Sequence, residues 1–174
     1  VMAFNEHANY NFQIAQIYGE KGNFKKMFES YIDLIASNDQ YFNLVQRYIS
    51  QYITDDSENK ANILFKKTLL RKSASNPKDV WNTLLSWLFT QQKEYSKALL
   101  QEKALFQRKP GNLNAIFTIG KIAFEDNYFV ASQQCFNFIV AKSNIRNEVI
   151  NAHLYIAKIA VVTKNPETET LFQN

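Results

Sequence analysis

The sequence has few of the residues that form tight turns, cross-links and metal sites. Its 174 residues include four glycines, three prolines, one cysteine and two histidines. The scarcity of glycine and proline argues against sandwiches and barrels, which use these residues at many tight turns. A single cysteine, Cys135, excludes an intramolecular disulfide and a thiolate metal site, and it is compatible with any compartment.

Long apolar runs and a strong charge of one sign are also missing. No run approaches the roughly 18 to 20 apolar residues that a membrane-spanning helix needs, so we expect a soluble chain. The formal net charge is +4, whereas nucleic-acid binders usually concentrate far more positive charge on one face. Residues 1–4 show no signal-peptide pattern. We expect a fragment of a longer protein, and an upstream signal peptide would leave the localisation open between cytoplasm, periplasm and export.

What the chain does contain is a recurring apolar helical pattern. Hydrophobic residues make up 46% of it and aromatic residues 14%, which is enough for a substantial core. Met27, Ala61, Ala98 and Ala131, which lie 34, 37 and 33 residues apart, each begin a second apolar helix. A period of this size predicts helix hairpins that stack on one another, because one hairpin cannot bury its apolar face alone.

The first hairpin has the clearest pattern. Gly22 is predicted to end its first helix in the left-handed conformation, where a Cβ would be penalised. The second helix then carries apolar residues at helical spacing, and these residues are Phe24, Met27, Phe28, Tyr31 and Ile35.

Turn and capping residues set the predicted boundaries of the other hairpins. Asp55-Asp56-Ser57 is predicted to cap one helix and Asp79 another. The inner turn at 125–127 is predicted to be one residue shorter than the others. A fifth first helix is expected at about 152–162, and a fresh helix from Pro166. The predicted repeats cover about 8–41, 42–77, 79–111 and 113–144, with a partial repeat at 149–174.

These residues resemble the tetratricopeptide repeat family. The matching positions of the first, third and fourth repeats are Ile14, Ala15, Tyr18, Gly22, Phe24 and Tyr31, then Leu85, Phe89, Tyr95, Ala98 and Pro110, then Ile119, Gly120, Tyr128 and Ala131. The resemblance covers nearly the whole chain. It implies an all-α, right-handed solenoid of stacked antiparallel hairpins, forming a single repeat domain. It also implies small residues, Ala98 and Ala131, where the two helices of a hairpin approach closely.

The resemblance further implies a non-catalytic scaffold that binds a protein or peptide of unknown identity in a concave groove lined by the first helices. Aromatic side chains are the usual anchors of such a groove. We expect Trp87 to be one, although it could equally pack on a neighbouring repeat. Transferred by position, the groove residues are Phe12, Gln16, Gln46, Ser50, Ile53, Thr83, Trp87, Gln91, Phe117, Lys121, Phe124 and Lys158. Phe12 and Gln16 do not match the Lys and Asn of the clamp that grips chaperone tails.

Patterns for catalysis, cofactors and metals are weak. His7 and His153 lie far apart, with no metal-ligand spacing around them. Ser57-Glu58-Asn59-Lys60 matches the S-x-x-K string of acylating enzymes but lacks its companion strings. We therefore expect no enzyme, no cofactor and no metal. The remaining catalytic hypothesis is that the chain is the helical part of a larger enzyme.

An alternative surface for binding is the basic segment 60–78. It holds six Lys or Arg and no acidic residue, namely Lys60, Lys66, Lys67, Arg71, Lys72 and Lys78. The pattern is typical of a solvated helix face, and it would also suit RNA, an acidic protein or lipid head groups. Open ends of a solenoid leave apolar surface bare, so self-association is a further possibility.

Overall fold

The computed structural model describes residues 6–164, with side-chain exposures from residue 10 onward. Within these limits the chain is all-helical and has no strand, which confirms the predicted all-α class. In chain order the helices are α1 Glu6–Glu20, α2 Phe24–Ser37, α3 Phe42–Ser50, α4 Lys60–Ser75, α5 Asp79–Gln91, α6 Tyr95–Arg108, α7 Asn114–Glu125, α8 Phe129–Lys142 and α9 Arg146–Lys164. A short 3-10 helix, Asp39–Tyr41, precedes α3.

The chain forms two compact units, unit 1 ending at Gln92 and unit 2 beginning at Lys93. In unit 1, α2 packs on α1 and α4, and α4 packs on α5. In unit 2, α8 packs on α7 and α9, and α6 packs on α7 and α8. Neighbouring helices thus pack in pairs within each unit. The stacking of these pairs into one right-handed solenoid stays a prediction.

Three inter-helix turns contain a residue in the left-handed conformation. These residues are Gly22 with φ 68°, Lys93 with φ 57° and Asn127 with φ 65°. At Gly22 and Asn127 the hydrogen bonds are also alike, since each left-handed residue donates its N–H to the carbonyl three residues earlier. The next N–H donates to a carbonyl five residues earlier, an arrangement that ends many helices. The prediction for Gly22 is confirmed.

The turn between α7 and α8 has the same length as the turn between α1 and α2. Three residues separate the helices in each case, so the predicted shorter turn at 125–127 is wrong. Counting five residues on from Gly22 and from Asn127 gives Met27 and Ser132. Ser132, and not Ala131, therefore occupies the position in α8 that corresponds to Met27.

The close approach between α7 and α8 occurs at Gly120. A Cβ there would lie 2.9 Å from Cβ of Cys135 and 3.0 Å from Cζ of Phe136. The Ser132 hydroxyl donates to the Gly120 carbonyl at 2.8 Å. Ala131 is buried but adjacent to this contact. The small residues that permit the approach are thus Gly120 and Ser132, because any side chain at 120 would meet α8.

The connection before α4 differs from the other turns. Asn59 is the N-cap of α4, and its side chain accepts from the Ala61 N–H at 2.9 Å. The predicted cap at Asp55-Asp56-Ser57 is therefore wrong. Asp56 instead accepts from the Glu58 N–H at 2.9 Å within the preceding turn.

A buried asparagine fixes this longer connection. Asn62 is 0% exposed, and its amide nitrogen donates to the carbonyls of Thr54 at 2.8 Å and Asp56 at 2.7 Å. Its oxygen accepts from the Thr54 N–H at 3.2 Å. An amide buried without such bonds would cost stability. Asn62 thus holds residues 54–56 against α4, in a connection that contains no glycine.

Two other predicted helix starts also change. Asp79 is the first residue of α5, and the N-cap is Lys78, which makes no side-chain cap hydrogen bond. The last described helix, α9, begins at Arg146 and not at about residue 152. The helix predicted from Pro166 lies outside the described residues. None of the helices in residues 6–164 combines the length and apolar character needed to cross a bilayer.

Candidate partner-binding surfaces

The predicted groove residues of α1 lie on a face that is partly covered by aromatic side chains. Phe12 is half-buried, with its ring centroid 4.8 Å from that of Tyr48 and 5.8 Å from that of Tyr31. Gln16 is also half-buried. Phe12 therefore already has protein contacts on α2 and α3, and only part of its surface is free to meet a partner.

The two tryptophans of α5 have different environments. Trp81 is 0% exposed, and its indole N–H donates to the Asn76 carbonyl at 2.7 Å. Trp87 is half-buried and meets the Phe65 ring edge-to-face at 6.3 Å. The contact with Phe65 is the packing that the sequence left as an alternative. The remaining surface of Trp87 is open to solvent.

The other predicted groove residues of unit 1 are mostly polar and lie at or near the surface. Ser50 is exposed and donates to the Arg47 carbonyl at 2.7 Å. Thr83 is half-buried and its hydroxyl points back to the Asp79 carbonyl at 3.4 Å. Gln46 and Ile53 are half-buried, and Gln91 is exposed. The side-chain hydrogen bonds of Ser50 and Thr83 both return to their own helices, α3 and α5.

In unit 2 the structure does bring two predicted groove residues together. Phe117 and Phe124, both half-buried on α7, each lie edge-on to Tyr155 of α9, with centroid distances of 5.6 and 5.7 Å. Phe136 stacks on the same tyrosine at 4.6 Å. The Lys158 ammonium lies 4.9 Å from the Tyr155 ring centroid. We call Phe117, Phe124, Phe136 and Tyr155 the aromatic cluster.

Lys121, the third predicted groove residue of α7, is exposed. Its ammonium is 3.7 Å from the Glu125 carboxylate, one helical turn further along. A surface pair of this kind contributes little to stability. Lys121 is therefore accessible to a partner, and its side chain contributes little to folding stability.

A pocket of about 190 Å³ opens beside Phe117. It lies where the start of α7, the end of α8 and the start of α9 meet. Glu148 lines one wall, and its Oε2 accepts a hydrogen bond from the Ser143 hydroxyl at 2.5 Å. The lining residues are Leu113, Asn114, Phe117, Ile139, Glu148 and Asn151. We call this the Phe117 pocket.

Sequence reasoning identified Phe117 but missed the other five residues of the pocket. Leu113 and Asn114 lie at the start of α7, Ile139 near the end of α8 and Glu148 at the start of α9. The predicted groove residues, in contrast, were taken only from central positions of the first helices. The start of α9 was also predicted about six residues too late, which placed Glu148 and Asn151 outside a helix. A correct start at Arg146 would have put both on the first turns of α9.

The basic segment is largely engaged within unit 1. The Arg71 guanidinium is 2.8 Å from the Glu29 carboxylate, and the Lys72 ammonium is 2.7 Å from that of Asp33. These pairs line a polar cleft of about 360 Å³ between α2 and α4. Both carboxylates lie on α2, so the cleft is bordered by charges of both signs.

Lys78 is also paired. Its ammonium is 3.1 Å from the Asp39 carboxylate and donates to the Ala36 carbonyl at 2.9 Å, near the end of α2. Lys60, Lys66 and Lys67 form no ion pair with the residues that the structure describes. Half of the basic side chains are thus neutralised by neighbours, which reduces the positive field available to a phosphate backbone.

The cysteine thiol and the described histidine side chain have opposite environments. Burial raises the pKa of the Cys135 thiol to about 12, so the reactive thiolate is scarce at neutral pH. His153 is exposed, and the His7 side chain lies outside the described residues. Residues 6–164 contain no group of three His, Cys, Asp or Glu that could hold a metal ion.

Comparisons of the chain with protein-family models, with curated proteins and with solved structures find no match. The resemblance to tetratricopeptide repeats thus depends on the residues of this sequence alone.

Proposed function

We propose that this protein is a non-catalytic scaffold that binds a protein or peptide partner through the first helices of its hairpins. The observation that supports this most directly is the aromatic cluster of unit 2 with the Phe117 pocket beside it. Half-buried aromatic rings next to a pocket with a polar rim are typical of surfaces that anchor a docked peptide.

The cluster also has the rigidity that such a surface needs. Phe136 is 0% exposed and its ring stacks on one face of Tyr155, which restricts the position of the tyrosine ring. Phe117 and Phe124 of α7 contact the same ring edge-to-face. An anchor whose ring positions are already set loses less side-chain entropy when a partner binds.

A selection from a library of short random peptides tests this proposal. Peptides recovered on the wild-type protein should bind the Phe117→Ala variant at least about tenfold more weakly, as expected for loss of a hot-spot aromatic. Phe138→Ala is the matched control. Phe138, on α8, is half-buried like Phe117 and pairs with the Phe106 ring at 5.6 Å, but it does not line the pocket.

Two results would contradict the proposal. One is that no peptide binds the folded wild-type protein. The other is that Phe117→Ala and Phe138→Ala weaken binding equally, which would mean that the aromatic surface does not select the peptides. Circular dichroism and thermal melting of each variant would first establish that it remains helical.

The alternative function, binding of nucleic acid or another anionic surface at 60–78, would depend mainly on Lys60, Lys66 and Lys67. Phosphate neutralisation imposes a steep salt dependence on affinity. With only three unpaired cations we expect weak binding of single-stranded RNA that vanishes at physiological salt. Tight binding with a steep salt slope, lost in a Lys60→Gln/Lys67→Gln variant, would favour the alternative over the scaffold.

A further inference from the structure

The Phe117 pocket has an apolar interior and a polar rim. Leu113 and Ile139 are 3% and 1% exposed, so they form fixed walls, and Phe117 adds an aromatic wall. Asn114 and Asn151 lie at the exposed rim. At about 190 Å³ the pocket is smaller than the roughly 300 to 1,000 Å³ of most small-molecule sites, so it suits a single side chain.

Glu148 is the only ionisable residue in the lining. Its Oε2 is engaged by the Ser143 hydroxyl, whereas its Oε1 has no hydrogen-bond partner among residues 6–164. Arg146 and Lys142 are the arginine and the lysine nearest to Glu148 in sequence. Both are exposed, and neither forms an ion pair with another described residue. The pocket therefore presents a negative charge that pairs with no cation among residues 6–164.

Glu148 also has a structural role that uses only part of its carboxylate. It lies in the first turn of α9, where the helix dipole favours a negative charge. Ser143 donates to it and accepts from the Ile145 N–H at 3.0 Å, which fixes the start of the helix. These bonds account for Oε2 and leave Oε1 available to a ligand.

We propose that the Phe117 pocket binds a lysine or arginine side chain of the partner peptide. The aliphatic stem would lie along the apolar walls, as the stems of these residues do elsewhere, and the cationic head would meet Glu148 at the rim. An anion would find no cation in the lining, and a purely apolar side chain would cover the carboxylate without pairing it. This inference depends on the proposed function, because it specifies the peptide that the scaffold selects.

The peptides recovered from the random library provide the test. Each basic residue of a selected peptide is replaced by norleucine, which keeps the stem and removes the charge. Affinities are measured by fluorescence anisotropy for wild type and for Glu148→Gln, which keeps an acceptor for Ser143. We expect one such replacement to weaken binding to wild type about tenfold and to have little effect on binding to Glu148→Gln.

Two further variants control the experiment. Glu125→Gln removes an exposed carboxylate of unit 2 that lies outside the pocket and should leave peptide affinity unchanged. Asn151→Asp adds a carboxylate at the exposed rim and should tighten binding of the same peptides several-fold. It therefore gives a readout even where Glu148→Gln impairs folding.

The outcomes separate the two proposals. One outcome is that peptide binding depends on Phe117 but no norleucine replacement lowers the affinity for wild type or for Asn151→Asp. This outcome would overturn the basic-side-chain inference and leave the scaffold proposal intact. Loss of affinity with Glu125→Gln equal to that with Glu148→Gln would also overturn it, since the effect would then be general electrostatics. The absence of any binding peptide would overturn the scaffold proposal itself.

Discussion

The hairpin α1/α2 in unit 1 and the hairpin α7/α8 in unit 2 have the same turn but different helix contacts. Both turns have three residues, with Gly22 and Asn127 in the left-handed conformation. In α7/α8 a glycine, Gly120, lets the helices approach, whereas the corresponding residue of α1, seven before the left-handed residue, is the buried Ala15. The turn geometry is thus common to both hairpins, and the helix spacing is adjusted separately in each.

The largest expected effect comes from adding a methyl group to Gly120 of α7, for which Gly19 of α1 provides the comparison. Gly120→Ala would place a Cβ against Cβ of Cys135 and should lower the free energy of unfolding by about 1–3 kcal/mol. In Gly19→Ala the Cβ would meet the Tyr52 hydroxyl at 2.7 Å and the Met27 sulfur at 2.8 Å. The first is the tip of a half-buried side chain, and the second lies near the end of a flexible side chain that is buried.

Each replacement also gains roughly 1 kcal/mol of helix propensity, which offsets much of the steric cost at Gly19 but not the cost at Gly120. We expect Gly19→Ala to change stability by no more than about 1 kcal/mol, and Gly120→Ala to be clearly destabilising. Urea unfolding of both variants measures the difference. Equal losses would show that the two hairpins are packed with the same tolerance.

The next effect concerns the turns. Gly22→Ala places a Cβ in the left-handed region, which costs about 1–2 kcal/mol. Asn127→Gly should be neutral or slightly stabilising, because glycine adopts that region without a steric penalty. Thermal unfolding of the pair tests whether the turns are equivalent. A large loss with Asn127→Gly would mean that the asparagine side chain has a role beyond its backbone conformation.

A smaller effect is expected from the hydrogen bond between the Ser132 hydroxyl and the Gly120 carbonyl. The corresponding residue of unit 1, Met27, has no hydroxyl to form it. Ser132→Ala removes the bond to the Gly120 carbonyl and should cost about 1 kcal/mol. Ser96→Ala is the control: Ser96 is exposed on α6 in the same unit, and its hydroxyl makes only a long, exposed bond of 3.3 Å to Gln134, so the change should have almost no effect. Denaturant unfolding that gives the same value for both would assign no special importance to the Gly120 contact.

The smallest effect is expected from the ion pairs of unit 1. The Arg71 and Glu29 side chains are 62% and 31% exposed, so their coupling energy should be about 0.2–1 kcal/mol. A double-mutant cycle with Arg71→Gln and Glu29→Gln should show this at low salt. At about 1 M salt, where the screening length falls to roughly 3 Å, the coupling should be nearly lost. A coupling that persists would indicate a pair shielded from solvent.

The helices could be predicted from the sequence because apolar residues recur at helical spacing along much of the chain. The Gly22 turn and the stripe of α2 are typical, and both are observed. The exact start of α4 was harder to predict, because Asn59, Asp55 and Asp56 are all good capping residues. The choice of Asn59 goes with the hydrogen bonds by which Asn62 holds residues 54–56 outside the helix. Ser132 was missed for a related reason: Ala131 matched the family pattern better, although it is displaced by one residue.

The candidate site could be predicted only in part. Phe117 and Phe124 stand at positions that the repeat pattern assigns to the groove, and they meet at Tyr155. The pocket beside them forms from three helix ends that are distant in sequence, and no local pattern reports such a meeting. The ion pairs of Arg71 and Lys72 were hidden for the same reason, since their partners lie 42 and 39 residues away.

The positions of three side chains give each unit its own spectroscopic reporter. Both tryptophans, Trp81 and Trp87, lie in unit 1, and the single thiol, Cys135, is buried in unit 2. Indole fluorescence therefore follows the opening of one unit, and the rate of thiol labelling follows the opening of the other. Without any introduced label, the two signals would reveal whether the units unfold in one cooperative step or in sequence.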